Sequence, residues 1–232
     1  CKLFRDALNP SSSLWTSFPH PNYPKLNGLM DALNRVYKKD PTKAPTIVFL
    51  MEGTFHGNGS CVHMNYPLMM IGAGRNKTFL DGYTLCIGGT KEEGKEVVVQ
   101  DMTTSSRAGR GLCASNGLSF LCKDMTFTQC GDCGVAARNT KGRLINCVIT
   151  QCGSSGIFCF TEALIEVEGD QTKVDGNVTC ENGAYYGLST HDTSSIIHLL
   201  FPLTKESVST NNHGGQNYGS YYGGTIKTVN SF

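Results

Sequence analysis

Asp101 and Asp124 are the first residues to weigh as chemistry. They sit in matching stretches, since Val99-Gln100-Asp101-Met102-Thr103 superposes on Cys122-Lys123-Asp124-Met125-Thr126 position by position. Two carboxylates in register suit calcium binding or acid-base work. Asn146 continues the column, however, where the chain must turn, and Asx side chains at turns bond neighbouring backbone amides. A structural ladder is the stronger reading. If the chain is an enzyme, Asp101 and Asp124 are its acid, base or calcium ligands, and Arg138 or Arg143 stabilises a substrate carboxylate. Cys130-Gly131-Asp132-Cys133 has the spacing of a zinc or redox pair, but the next unit reads Cys152-Gly153-Ser154-Ser155, so no second pair completes four ligands. Core packing plus one exposed turn thiol is expected there.

The six histidines form no i, i+4 pair and no H-x-H, which leaves them as surface or loop residues. Gly72-Ala73-Gly74-Arg75 lacks the Lys-Ser or Lys-Thr and the following helix of a phosphate loop, and reads as a turn. Arg107, Arg110, Arg138 and Arg143, with Lys123 and Lys141, allow a basic stripe on one face, against the plainer reading of solvated charge. Tyr218, Tyr221 and Tyr222 offer amphipathic contact area and are the candidate binding residues. No metal and no cofactor is implied.

Positioning these residues falls to a repeat. When the chain is laid on itself, Thr128-Gln129-Cys130-Gly131 falls on Thr150-Gln151-Cys152-Gly153, and the same offset places Phe127 on Ile149 and Gly134-Val135 on Gly156-Ile157. Units this short, with β-type runs and glycines at fixed positions, predict a β-solenoid of about seven to nine coils. Stacked parallel strands lie about 4.8 Å apart, so equivalent side chains form columns. Cys122, Phe127 and Val135, then Leu144, Ile149 and Ile157, are the expected inward residues. A further strand column runs through Leu85-Cys86-Ile87, Leu112-Cys113-Ala114, Val135-Ala136, Ile157-Phe158 and Leu188, with bulging loops between Ile87 and Gly111 and between Gly169 and Gly187.

Residues 1–25 read as an irregular arm and residues 26–232 as one domain. Leu29, Met30, Leu33, Val36 and Tyr37 make an amphipathic helix over 26–40, ended by Asp40-Pro41, that caps the open end of the solenoid. The Gly, Asn and Tyr-rich segment 211–224 reads as a loop, and Thr225-Ile226-Lys227-Thr228-Val229 as a last strand.

With 20 basic against 19 acidic residues, the net charge of +1 gives no footprint for a dedicated nucleic-acid binder. No run reaches the roughly 20 apolar residues that span a bilayer. Cys122, Cys130, Cys147, Cys152 and Cys159 sit at positions held elsewhere by core hydrophobes. Reduced thiols and an intracellular, reducing compartment follow. Secretion is the alternative, since Asn58, Asn76 and Asn177 open sequons and the chain starts at Cys1, which leaves a removed leader open.

The order of the helix, Thr46-Ile47-Val48-Phe49-Leu50-Met51-Glu52-Gly53-Thr54-Phe55, then Ile71-Gly72-Ala73-Gly74 and Thr78-Phe79-Leu80-Asp81-Gly82 resembles the first coils of right-handed parallel β-helix proteins of the pectin-lyase-like superfamily. The resemblance covers residues 27 to 200. From Tyr186 onward, Y-G-L-S-T, I-I-H-L-L and N-N-H-G-G-Q-N-Y are similar to uncharacterised β-helix proteins of diatoms and related algae. The first resemblance implies a fold that hosts lyases, hydrolases and epimerases on acidic glycans; the second implies no assigned activity. The D-F-I-F-G, N-T-D, G-H-G and R-x-P-x-x-R signatures of those enzymes are missing here. The combined expectation is an all-β, right-handed parallel β-helix acting as a non-catalytic binding or structural module for a protein or glycan, with a polysaccharide-active enzyme as the alternative.

Overall fold

The computed structural model describes residues 14–178, 185–213 and 216–230. One coil shows how the sequence folds. Ser119–Lys123 is a strand of a nine-stranded parallel sheet (row 1), Thr126–Thr128 belongs to a second row and Val135–Arg138 to a third; Lys141–Ile145 then re-enters row 1 one coil on. Rows 2 and 3 are joined into a twelve-stranded sheet by the long strand Thr78–Ile87, which pairs with both Thr103–Ser105 and Leu112–Ser115. Val99 pairs with Cys122, Phe127 with Ile149 and Val135 with Ile157, so the offsets expected from the repeat are the registers of the sheets.

Chain direction changes at corners where backbone enters the left-handed region, and each corner is a column. Asp101, Asp124 and Asn146 (φ 60°, 50° and 52°) precede row 2, with Gly169 at φ 88° next in line. Gln129 and Gln151 (φ 51° and 56°) precede row 3, and Asn116 and Asn139 (φ 50° and 46°) precede row 1. Asn and Asp tolerate this conformation better than other side-chain-bearing residues. The interior is a continuous stack in which Cys122, Phe127, Val135, Leu144, Ile149 and Ile157 are fully buried. Gly142 is required by that stack, because a Cβ there would lie 2.1 Å from the Phe120 ring.

The helix Leu26–Lys39 packs Leu26, Leu29, Met30 and Leu33 against the edge strand Gly53–Met64 and ends where Asp40 turns extended before Pro41. Val36, expected on its buried face, is exposed. Part of the expected N-terminal arm, residues 1–13, lies outside the described residues. The rest is more regular than its prolines suggested: Trp15–Phe18 is the first strand of row 1, paired in register with Ile47–Leu50, and Phe18 packs on Phe55. Segment 211–224 is likewise not a plain loop. Tyr218–Ser220 pairs with Leu188–Thr190 as the last strand of row 3, and Thr225–Val229 closes row 1.

An inner corner column explains that order. Cys130 and Cys152 are followed one coil further by Asn177 and then Asn212. The Cys152 amide donates to Asn177 Oδ1 at 3.0 Å, and Asn177 Nδ2 donates to Asn212 Oδ1 at 2.9 Å. Asn177 is 1% exposed, so its side-chain amide is taken up inside the fold, whereas Asn58 and Asn76 lie at the surface. Among the described residues no helix is long and apolar enough to cross a membrane.

Candidate functional site

The corner acids are tied into the scaffold. Arg75 leaves its turn and runs along the solenoid: its guanidinium lies 3.7 Å from Asp124 and donates to the Asn146 carbonyl and to Gln171 Oε1, each at 3.0 Å. Asp101 accepts from Gln100 Nε2 at 2.8 Å. The two arginines considered with them are elsewhere. Arg143 projects from row 1 and pairs with Glu168, while Arg138 projects from row 3 with its guanidinium 6.0 Å from the Phe160 ring centre. The six cations do not form one stripe, since strand alternation sends Lys141 and Arg143 out of row 1 and Arg138 out of row 3, and Arg110 is bound to Asp132 at 2.7 Å.

Cys133, expected as an exposed turn thiol, is buried beside Asp132. Burial pushes the Cys133 and Cys147 thiols up to about 12, so they remain protonated and unreactive at neutral pH. All nine described cysteines are free, and no group of three or more His, Cys, Asp or Glu among the described residues could hold a metal.

Two outer faces carry the remaining chemistry. On row 1 one outward column reads Trp15, Ile47, Met69, Val98 and Leu121 and then changes to Arg143, Glu166, His198 and Lys227. The charged half lines a groove of about 410 Å³ with Leu200 and Asn230. Burial and the Lys227 ammonium lower the His198 pKa against the pull of Glu166, and its Nε2 is buried without a hydrogen-bond partner among the described residues. Sequence reasoning missed this column because its members come from four different coils, separated by unequal lengths of chain rather than joined in a short motif.

On row 3 most outward residues of the last coils are rings, with Ser189 and Gly219 the exceptions. Arg138 pairs with Phe160, and Cys159 with Thr190 and Thr190 with Ser220, which brings His191 and Tyr221 into line with Phe160. Phe158 stacks on Phe160 at 5.0 Å, His191 lies 5.5 Å from Tyr221 and 5.4 Å from Tyr222, and the two tyrosines are 4.2 Å apart. Tyr185 meets Phe158 edge-on at 5.9 Å. Of the three predicted tyrosines, Tyr221 and Tyr222 belong to this face. Tyr218 does not: strand alternation turns its half-buried ring against the core, and at the surface its hydroxyl donates to Glu206 at 3.1 Å while Lys205 lies over the ring. Phe158 and Phe160 were legible only as members of repeats and His191 only as a surface or loop histidine, since their neighbours in space come from other coils.

Three parallel rows, cornered by left-handed residues and enclosing a stack of like side chains, define a β-helix. The match to the family of right-handed β-helix regions spans residues 73–201, and the chain belongs to that family. It is also similar in structure to ORF18 of Geobacillus virus E2, at 13% identity and a TM-score of 0.51, over 98% of this chain and 43% of that one. This likeness shows the fold alone, and the chain spans less than half the length of that protein. No curated protein matches.

Proposed function

We propose that this chain is a non-catalytic β-helix module that binds or assembles with a protein or glycan partner. The observation that carries the reading is the state of the would-be catalytic groups: Asp124 is held by Arg75, Asp101 by Gln100, and Arg143 by Glu168, while Arg138 lies over an aromatic ring on another face. Groups engaged in this way would have to break existing bonds before meeting a substrate. A relation to the pectin-lyase-like superfamily and to algal β-helix proteins, and residence in a reducing compartment, are part of the same proposal. The compartment rests on buried, unpaired thiols in core columns among the described residues.

A second reading, an enzyme on acidic glycans, draws on the row 1 groove, where Glu166, a pKa-lowered His198 and two cations share one column. Incubation with polygalacturonate and alginate separates the two. The module forms no new reducing ends and no unsaturated products. Turnover that disappears in Asp124→Ala or His198→Ala, with the melting curve intact, would overturn it.

A further inference from the structure

We infer that the outer face of row 3 over the last coils is a binding site for a neutral glycan chain lying along the solenoid axis. This rests on the module reading and names its ligand. Four features meet at the site. First, the side chains form a line: Arg138, Phe160, His191 and Tyr221 occupy successive coils about 4.8 Å apart, so a linear ligand meets one group per coil. Second, the apolar members of this line and its neighbour, Phe158, are rings, in contrast to the apolar half of row 1, where Trp15 is followed by Ile47, Met69, Val98 and Leu121. Flat faces with polar edges suit pyranose rings, which present C–H groups on their faces and hydroxyls at their rims.

Third, Tyr222 is held at φ 77° with its side chain 68% exposed. That conformation is strained for a bulky residue, and no burial of the ring compensates for it. Strain that displays an aromatic ring to solvent beside two others is the mark of a contact surface. Fourth, Ser189 stands between Phe158 and Gly219 in the adjacent outward column, and its buried hydroxyl has no hydrogen-bond partner among the described residues. Ser189 is 0% exposed and lies beneath an aromatic surface that the Tyr186 ring extends over Gly219, so the column beside the line is a flat apolar floor.

The charge on the face selects the ligand class. Among the described residues Arg138 is the one outward cation in these columns, and the nearby Asp192 carboxylate is occupied by the Thr161 amide and Ser194. A polyuronate or a nucleic acid would need several cations spaced along the line. The polar rim is supplied instead by the corner residues that follow the line, Asn139 after Arg138, Thr161 after Phe160 and Asp192 after His191.

Calorimetric titration of the full chain with a panel of neutral hexasaccharides, including β-1,4- and β-1,3-glucans, tests the assignment. Polygalacturonate and single-stranded oligothymidine serve as competing classes. Binding of at least one neutral chain is expected, weakened roughly tenfold or more by Tyr222→Ala and by Phe160→Ala and unchanged in Arg143→Ala. Tyr222 is exposed, so its variant stays folded even where Phe160→Ala does not. Failure of every neutral chain to bind, affinity that survives Tyr222→Ala, or preference for polygalacturonate or DNA would overturn the assignment. Degradation of a glycan in the same samples would instead overturn the module reading.

Discussion

Rows 1 and 3 share the same coils, yet their outer faces carry different chemistry. Row 1 ends in Arg143, Glu166, His198 and Lys227, with Arg143 paired to Glu168; row 3 ends in Phe160, Phe158, His191, Tyr221 and Tyr222, a chain of rings in which Phe158 links Phe160 to His191. The backbone is equivalent in both. In a solenoid, the inward half of each strand is constrained by the coil above and below, while the outward half is free to vary, so function is read from the outer columns alone. Ion pairs on a solvated sheet contribute little, about 0–1 kcal/mol each. Exposed rings cost more to display, and their display calls for a partner.

The comparison can be broken at its shared support. Phe127→Ala empties a fully buried position in the stack and is expected to cost about 3–5 kcal/mol in urea unfolding, loosening both faces together. Arg75→Ala removes a guanidinium bound to three successive coils and should cost about 1–3 kcal/mol, with the row 1 to row 2 corner gaining amide exchange first. Asp124 sharpens the distinction between corner and catalyst. At φ 50°, Asp124→Asn should be nearly neutral and Asp124→Ala should cost about 1 kcal/mol, an ordering set by backbone conformation.

Asp192 gives the pH dependence. Burial pushes its carboxyl up, but hydrogen bonds from Ser194 and the Thr161 amide outweigh burial and hold it down at about 2, from an ordinary 3.8. A lowered folded-state pKa stabilises the fold above the ordinary value, and this contribution is lost as pH falls through about 2. Thermal melts between these limits should show the loss, and Asp192→Asn should flatten it. The smallest effect carries the sharpest contrast. Tyr222→Gly relieves a strained backbone and should raise stability by up to about 1 kcal/mol while abolishing glycan binding. Arg143→Ala on row 1 should change stability by about 0.5 kcal/mol or less and leave binding alone.

The inside of this molecule was far more legible than its outside. Inward positions repeat because each side chain packs on its equivalent, so Phe127 over Ile149 and Val135 over Ile157 appear in the sequence as one constant offset. The Asp101, Asp124 and Asn146 corner was legible for the same reason. Arg75 was not, because nothing local marks a side chain that reaches Asn146 and Gln171, three and four coils further along the chain. Trp15–Phe18 and Tyr218–Ser220 were hidden by prolines and glycines, whose turn signals outweigh short strands that exist only through their partners. Tyr218 was grouped with Tyr221 and Tyr222 by proximity in sequence; strand alternation separated it from them. Of the row 1 groove only Arg143 was singled out, and with the wrong partners, since loops of different length interrupt the spacing of Glu166, His198 and Lys227.

Hydrogen-deuterium exchange with and without a saturating neutral hexasaccharide tests the central claim most directly, since it reads both faces in one sample. Protection is predicted in Ile157–Phe160, Leu188–Thr190 and Tyr218–Ser220, the last strands of row 3, with Lys141–Ile145, Leu164–Glu168 and Ile196–Leu200 of row 1 unchanged. Protection confined to the row 1 strands would contradict the account and return the function to the charged groove.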